Sequence, residues 1–437
     1  MSEKTGLKRD RYTNEVGESL VGRSCVVAGW IEDLRSIGSI VFLTVRDGHG
    51  TIQAVFNRRN LGDERFAESG SLSRQSFVAV RGKVKESKSK VSPFEIDASD
   101  FCVLGRAVHP LPLDPTGRVD AGLDTRLDAR PLDLRSPRAA SIFRIRALFL
   151  RFTRELLWSE GFMEVNTPKI IGAAAEGGAE LFAFNYFQRE AYLAQSPQLY
   201  KEELTLSLDR VYEIGTYFRA ERMNTTRHLN EFVSLDVEAA LCEKEDVMKI
   251  LEALVSAGIK HLVGAAEKEF RALGFTPTLP PLPFPIVRYE DAVSELVKKG
   301  CSVKFGDEFD AEALRLLGDM YHGYYFLVDW PASLKPFYIK PNPSRPDISE
   351  SFDLMFGPLE LASGGERVAD RSLLEERLRE KGLKVEQFKD HLKVYDWGMP
   401  PHSGWGFGVD RFVAQVTGNS NIREAVLYPR DAFRVTP

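Results

Sequence analysis

An α+β protein of more than one domain is what this sequence predicts: a five-stranded β-barrel at the N-terminal side, then a larger antiparallel sheet flanked by helices. Three observations carry that expectation. At 437 residues the chain exceeds what one compact core normally organises. From Ser24 to about Phe101 apolar residues recur with period two, in stretches rich in β-branched side chains. Beyond residue 138, strand-like runs alternate with helical ones without the regular βαβ rhythm of a parallel sheet.

The barrel strands are CVVAGWI, IVFLTVRD, TIQAVF, FVAVRGKV and FEIDASDFCVL, with Gly, Asp and Asn turns between them. With a short helical stretch near Arg65–Leu72 they fit a Greek-key barrel over residues 1–106. Residues 107–138, dense in Pro, Asp and Gly, read as a hinge. The second domain is expected at 139–437. It opens with a helix from Ala139 to Glu160, whose Ile145, Leu148, Phe149, Phe152 and Leu156 share one face. Gly161 ends it, and FMEVNTP begins a strand broken at Pro168. Further strands are expected at AYLAQS, VYEIGTYFRAE, FVSLDVEA, YYFLVDWP, FYIKP, SFDLMF and PLELASGG. Helices are expected at 243–273, 308–323 and 371–393.

Composition narrows the class. With 43% hydrophobic and 28% charged residues the chain is an ordinary globular enzyme in make-up. No window approaches 18 uncharged apolar residues, and the opening MSEKTGLKRDRYTNEVGESL lacks the apolar core of a signal peptide, so no membrane association is expected. Cys25, Cys102, Cys242 and Cys301 lie far apart without CxxC or zinc-ligand spacing, and read as reduced thiols of a cytoplasmic protein. The net charge of −5 is unevenly spread. Residues 1–106 hold 17 Lys and Arg against 14 Asp and Glu, a balance of +3, and the remainder holds 41 against 49, a balance of −8. A mildly basic small domain beside an acidic large one permits local contact with a polyanion. No GxxxxGK[ST] string and no strand–GxGxxG–helix unit is present, so neither a P-loop nor a Rossmann site is expected to handle nucleotide.

Three segments carry chemistry. In YFRAERMNTTRHLNEFVSLDVE, Arg219 and Glu221 are two residues apart, which on a strand places them on one face. A guanidinium there can grip phosphate and carboxylate, and Glu221 can accept from an exocyclic amine. Arg227 and His228 suit distal phosphates and Phe232 suits stacking on a purine, although an ordinary surface hairpin with an ion pair would look similar. In GWGFGVDR, Gly404, Gly406 and Gly408 leave room for a nucleotide against the backbone, and Arg411 falls in the first turn of a helix expected at Val409–Val416. In FDLMFGPLELASGGER, Asp353 and Glu360 are hard oxygen donors of the kind that hold Mg²⁺ against phosphates.

Helix–GFMEVNTP, the FRAE…RHLNEF segment and GWGFGVDR, in that order, resemble motifs 1, 2 and 3 of the class II aminoacyl-tRNA synthetases, subclass b. The resemblance runs over nearly the whole chain, with the barrel similar to an anticodon-binding OB-fold, and is nearest to the archaeal-type aspartyl members. It implies that Arg219, Glu360 and Arg411 are catalytic, with Arg411 on the γ-phosphate. ATP would lie along Arg219, Glu221, Arg227, His228, Leu229 and Phe232 on one side, and along Glu360, Gly408, Val409, Asp410 and Arg411 on the other. Glu360 and Ser363 would bind Mg²⁺, with Asp353 in support. For L-aspartate the resemblance implies Glu176 at the α-ammonium and a cationic slot of Lys201 and Arg367, with Gln195, Ser196, Gln198, Arg219 and Ser363 around it. Asparaginyl members carry an acidic residue where Lys201 stands, so this lysine weighs most in choosing aspartate over asparagine. Glu366 departs from the Gln or Ser usual after SGG and brings a negative charge towards that site.

In the barrel the resemblance makes Phe42 a stacking platform and Gln53 and Glu95 readers of anticodon base edges; core packing is the competing reading of Phe42. Lys83, Lys85, Lys88 and Lys90 in the loop before FEI suit tRNA phosphates or a merely solvated turn. The partners implied are ATP, tRNA-Asp and a second copy of the chain, since motif 1 builds a two-fold interface in this family. The sequence leans towards the relaxed kind of enzyme that also charges tRNA-Asn, because nothing in Glu86–Pro93 (ESKSKVSP) is built to exclude U as the third anticodon base; Glu32 is another position that could bias the choice. An asparaginyl enzyme, an asparagine synthetase on the same fold and a non-catalytic tRNA-binding paralogue are the alternatives. Lys201 speaks against the first, the complete barrel against the second, and the presence of Arg219, Glu360 and Arg411 against the third.

Overall fold

The computed structural model describes residues 7–88, 92–172, 181–222 and 225–437, and the chain divides into two compact units, Met1–Arg135 and Ser136–Pro437. In the first unit β1 (Ser24–Ile37), β2 (Ile40–Arg46), β3 (Thr51–Asn57), β4 (Phe77–Glu86) and β5 (Phe94–Gly105) close a barrel in the order β1-β2-β3-β5-β4. Pairing is antiparallel except for β3 with β5. The period-two pattern works as expected on β2: Val41, Leu43 and Val45 are fully buried, while Phe42 and Thr44 between them lie partly exposed on the outer face. Gly29 is required where β1 crosses β2, because a Cβ there would stand 2.1 Å from the carbonyl oxygen of Arg46.

Between β3 and β4 lie two short helices, α1 (Arg58–Leu61) and α2 (Asp63–Gly70), at the place of the expected helical stretch. The Pro- and Asp-rich segment after the barrel contains two more, α3 (Leu123–Asp128) and α4 (Arg130–Asp133). Asp133 accepts from Arg126 at 2.9 Å and from the fully buried Arg130 at 2.8 Å. The segment is then tied to the barrel by Arg135, whose guanidinium lies 4.6 Å over the ring of Trp30 and donates to the side-chain carbonyl of Gln75 at 3.1 Å. The first unit therefore runs past the barrel to Arg135.

The second unit opens with α5 (Pro137–Ser159), two residues ahead of the expected start, because Ser136 caps it and Pro137 occupies its first position. Then come β6 (Met163–Glu164), β7 (Ile170–Ile171), β8 (Ala183–Tyr186) and β9 (Arg189–Leu193), followed by α6 (Gln198–Leu208), which the sequence reading had not marked as an element. The strands β10 (Arg210–Phe218) and β11 (Glu231–Ala240) form the central hairpin, and α7 (Lys244–Ala265) and α8 (Glu267–Leu273) follow. Next are β12 (Ile286–Arg288), α9 (Tyr289–Lys298), α10 (Ala311–Met320), β13 (Tyr324–Val328), β14 (Ser351–Phe356) and β15 (Leu359–Glu366). The chain closes with α11 (Arg371–Glu380), α12 (Lys389–Tyr395), β16 (His402–Gly408) and α13 (Val409–Val416).

Eight strands form one sheet in the order β12-β13-β14-β15-β16-β11-β10-β6, antiparallel except at its two ends, and β7-β9-β8 form a separate small sheet. Phe149 of α5 packs on Phe407 and Phe412, at 6.2 and 4.4 Å between centroids, which fixes helix, sheet and α13 together in a fully buried core. Two expectations fail locally. FMEVNTP supplies only the two residues of β6, and FYIKP makes no strand, contributing only isolated bridges, Ile339 with Arg367 and Pro341 with Ser349.

Candidate active site

One face of β11, β15 and β16, with the segments that follow β10 and β9, borders a cavity of about 300 Å³. The ends of three motifs meet at its rim through one carboxylate. Asp410, 2% exposed on α13, accepts from the backbone N–H of Val233 at 2.8 Å and is ion-paired with Arg146 of α5. Both its oxygens are thus engaged within the protein while the residue still borders the cavity. Val409 is wholly buried and is not among the bordering residues, whereas Gly408 is.

β10 ends at Phe218, so Arg219 and Glu221 are not held by strand pairing as the sequence suggested. Asn230 holds them instead. Arg219 N–H donates to its carbonyl at 2.9 Å, and its side-chain amide donates to the carbonyls of Arg219 and Glu221 at 2.7 and 2.8 Å. Both side chains still face the cavity, as do Arg227, His228, Leu229 and Phe232. The Arg219 guanidinium lies 5.3 Å from the centre of the Phe232 ring. His228 is held below the usual histidine value, first by burial and then by the positive charge of Arg411, with Arg219 and Arg227 adding to it against Glu221. A neutral imidazole amid three guanidiniums makes this end a receptor for polyphosphate.

Opposite stands β15, where Leu361 is an extra residue: Ala362 pairs with Leu354 and Glu360 with Met355. The bulge reverses the alternation, so Glu360 and Ser363, three apart, both turn outward to the cavity. Two oxygen donors side by side fit a Mg²⁺ ion that keeps most of its coordination for water and phosphate. Asp353, paired with Ser363 across the strands, is differently placed: it is 2% exposed, outside the cavity lining, and takes Lys335 Nζ on both oxygens at 2.8 Å. Burial pushes its carboxyl up, against the pull of Lys335, and Glu360 pushes it the same way. Among the described residues no group of three or more His, Cys, Asp and Glu side chains could hold a metal by itself. Arg411 donates to the carbonyl of Glu360 at 2.9 Å, which ties α13 to β15.

At the other end Gln195, Ser196, Gln198, Ser363 and Arg367 border the cavity. Arg367, 3% exposed, donates through Nε and one Nη to Glu238 at 2.9 and 3.1 Å. Lys201 lies one layer deeper, outside the lining, with its ammonium 3.2 Å from Asp236 and 3.3 Å from Glu238 and donating to the carbonyl of Trp405 at 3.1 Å. Asp236 itself borders the cavity. The two expected cations are therefore present together, but each is matched by an acidic residue of β11 that the sequence reading missed. Gly404 serves that cluster rather than a nucleotide, since a Cβ there would stand 2.2 Å from Glu238 Oε2. Glu366 points away, taking Lys340 Nζ at 2.7 Å. Glu176 lies outside the described residues.

On the barrel, Phe42 pairs with Val55 and Gln53 is two residues from Val55, which sets Phe42 and Gln53 on one outer face. That alternation favours the stacking reading of Phe42 over core packing. Gln53 pairs with Glu95 and donates its amide to that carboxylate at 2.9 Å, and Ser87 donates to the same oxygen at 2.7 Å. β4 extends through Glu86, so Lys83 and Lys85 are strand residues, with Lys85 ion-paired to Asp97; Lys88 lies beyond the strand and Lys90 outside the described residues. Glu32 accepts from Arg46 at 2.7 Å.

Residues 122–432 match the family of class II tRNA synthetases for D, K and N, and residues 25–104 match the OB-fold nucleic-acid-binding anticodon family. The chain belongs to the class II aminoacyl-tRNA synthetases. As such it is a ligase of a family that depends on ATP and generally needs a divalent metal. The synthetase is 42% identical to the aspartate–tRNA(Asp/Asn) ligase of Methanocaldococcus jannaschii, with all of both chains covered. It is also 42% identical to the aspartate–tRNA(Asp) ligase of Pyrococcus abyssi, over 99% of this chain and all of the relative. Among solved structures it is similar to the asparaginyl-tRNA synthetase of Pyrococcus horikoshii with asparaginyl-adenylate, at 33% identity and a TM-score of 0.93 over 98% of this chain and all of that one. Among the described residues no helix is long and apolar enough to cross a membrane.

Proposed function

We propose that this synthetase activates L-aspartate with ATP and transfers it to tRNA-Asp and also to tRNA-Asn, in the cytoplasm and as a homodimer. The observation that carries the choice of amino acid is the buried charge cluster at the end of the cavity. Lys201 and Arg367 balance Asp236 and Glu238 to a formal charge of zero. An acidic residue at position 201 would make the same cluster −2, which repels a substrate carboxylate in a low-dielectric site. Aspartate is accepted with its side-chain carboxylate towards Arg367, where a charge-assisted hydrogen bond is stronger than the one the neutral amide of asparagine can make, a difference of about 1–3 kcal/mol.

The chemistry needs positioning more than proton transfer. Arg219 offsets charge on the phosphoryl group while the aspartate α-carboxylate attacks the α-phosphate in line and pyrophosphate leaves. Arg227, His228 and Arg411 face the distal phosphates, Phe232 carries the purine, and Glu221 accepts from its amine. Mg²⁺ held by Glu360 and Ser363 supplies charge neutralisation on the phosphates when bound. The terminal 3′-hydroxyl of tRNA then attacks the aspartyl-adenylate. ATP–pyrophosphate exchange with Mg²⁺ and each of the twenty amino acids tests this reading: stimulation by aspartate is expected, and stronger stimulation by asparagine or lysine overturns it.

Phe42, Gln53 and Glu95 on one side of the barrel support anticodon contact. With the amide nitrogen of Gln53 donated to Glu95, its carbonyl oxygen is left as the base-reading atom. Relatives named for both tRNA-Asp and tRNA-Asn agree with the relaxed reading. Aspartylation of the two transcripts with a kcat/KM ratio above about a hundredfold, some 2.7 kcal/mol, makes the enzyme strict instead. The two-fold partner is supported by the short edge strand β6 at the end of the large sheet and by the exposed Trp158 and Met163 beside it. Sedimentation showing only a 49.2 kDa species overturns the dimer.

A further inference from the structure

The face that α6 turns inward is polar, with Gln198, Lys201, Glu202 and Thr205 all buried. Lys201 belongs to the charge cluster already described. Glu202 does not border the cavity, is fully buried, and sits beneath Gln198, which does border it. Gln198 donates Nε2 to Glu202 Oε1. A carboxylate oxygen only accepts, so the Gln198 amide is oriented with nitrogen towards Glu202 and its carbonyl oxygen as the polar atom left for the cavity.

The second oxygen of Glu202 accepts from the Tyr395 hydroxyl at 3.0 Å, and faces His402 Nε2 at 3.7 Å and His391 Nε2 at 3.8 Å. His402 is buried, and its Nδ1 lies 2.7 Å from the carbonyl oxygen of Pro400. That oxygen can only accept, so Nδ1 carries a proton. A neutral His402 would then point a lone pair at a carboxylate, whereas the doubly protonated ring points an N–H at it. Other charged groups around the pair are already engaged: Arg367 with Glu238, Lys201 with Asp236 and Glu238, and Glu203 with His391 Nδ1 at 2.9 Å.

We propose that Glu202 and His402 are positioning residues for amino-acid recognition: the charged His402 keeps Glu202 as a carboxylate, which fixes the Gln198 amide so that its carbonyl oxygen meets the ammonium of the incoming amino acid. The electrostatics of the two groups agree in sign. Burial alone would raise the Glu202 carboxyl, but His402, then His391 and Arg367, hold it at about 2. His402 is opposed by its own burial, yet contact with Glu202, the charge of Glu238 and the Pro400 carbonyl lift it above the usual histidine value. The arrangement is therefore intact below the raised value of His402 and is lost as pH rises through it.

The inference rests on the aminoacylation reading, and the test uses whichever amino acid the wild-type enzyme activates in pyrophosphate exchange, so a wrong choice of aspartate is seen separately. Glu202→Gln lets the Gln198 amide turn either way; the amino-acid KM should rise about tenfold, with KM for ATP and kcat within about twofold. His402→Gln keeps an N–H for Glu202 without titrating. Wild-type kcat/KM for the amino acid should fall on the alkaline side, as pH rises through the raised His402 value, and His402→Gln should flatten that fall. An unchanged amino-acid KM in Glu202→Gln, a parallel rise of both KM values, or an alkaline limb retained in His402→Gln overturns the proposal. If Glu202→Gln does not fold, the pH profile of His402→Gln decides alone.

Discussion

The two ends of the cavity solve opposite electrostatic problems. At the phosphate end Arg219, Arg227 and Arg411 gather around the cavity with Glu221 and Glu360, fewer carboxylates than guanidiniums, and Glu360 is half exposed. At the amino-acid end Lys201, Arg367, Asp236, Glu238 and Glu202 are nearly all hidden from water and matched charge for charge or held by donors. The first end waits for a ligand that brings the missing negative charge. The second is complete before any ligand arrives, so a substrate must fit its pattern. Binding strength for a common cofactor-like substrate needs the former, and discrimination between aspartate and asparagine needs the latter.

Substitutions at the two ends should therefore fail in different ways. Lys201→Met has the largest expected effect. It leaves Asp236 and Glu238 buried without one cation, so stability should drop by about 3–5 kcal/mol along with a loss of aspartate activation beyond about a hundredfold. A variant with unaltered melting temperature and an aspartate kcat/KM within about tenfold of wild type would break the contrast. Arg219→Ala should lower the exchange rate by about 10²–10³ with the melting temperature nearly unchanged, because its side chain faces the cavity and lies outside the buried charge cluster. A large drop in stability there would show that the phosphate end is also prebuilt. Phe42→Ala tests the other unit: aminoacylation should lose about 1–3 kcal/mol through KM for tRNA, while tRNA-independent exchange stays at the wild-type rate. Glu366→Gln should be smallest, within about 0.5 kcal/mol in stability and with no change in KM for aspartate, since this carboxylate faces Lys340 outside the cavity. A marked gain in aspartate affinity would return Glu366 to the substrate site.

How legible all this was in the sequence depended on which signal each part used. The barrel strands and α5 bury apolar residues at the period of their own geometry, so Val41, Leu43 and Val45 or Ile145 and Phe149 announce themselves. α6 hides its polar side instead, and a hydrophobic pattern has nothing to say about a helix whose buried stripe is Gln198, Lys201, Glu202 and Thr205. The motif strings pointed to Arg219, Glu221, Phe232, Glu360 and Arg411, which do meet around one cavity. What they could not give was pairing across the sheet: the bulge that turns Glu360 towards Ser363, the clamp made by Asn230, and the acids of β11 that occupy Lys201 and Arg367. Each of those depends on contacts between residues distant in sequence.

The order of strands in the large sheet also bears on how the polypeptide acquires its structure. β16 lies in the middle, between β15 and β11, although it is the last strand in sequence. As synthesis proceeds, the half-sheet around β10 and β11 and the half-sheet from β12 to β15 can each form, but no strand pairing joins them until residues 402–408 emerge. Two unpaired edges are exposed during that interval, the kind of surface that recruits other chains. The joining contacts span long stretches of sequence, Arg146 with Asp410 and Glu238 with Gly404 among them, which makes the closing step slow compared with the local hairpin of β10 and β11. A ribosome-bound chain stopped before His402 would have both halves and no active site.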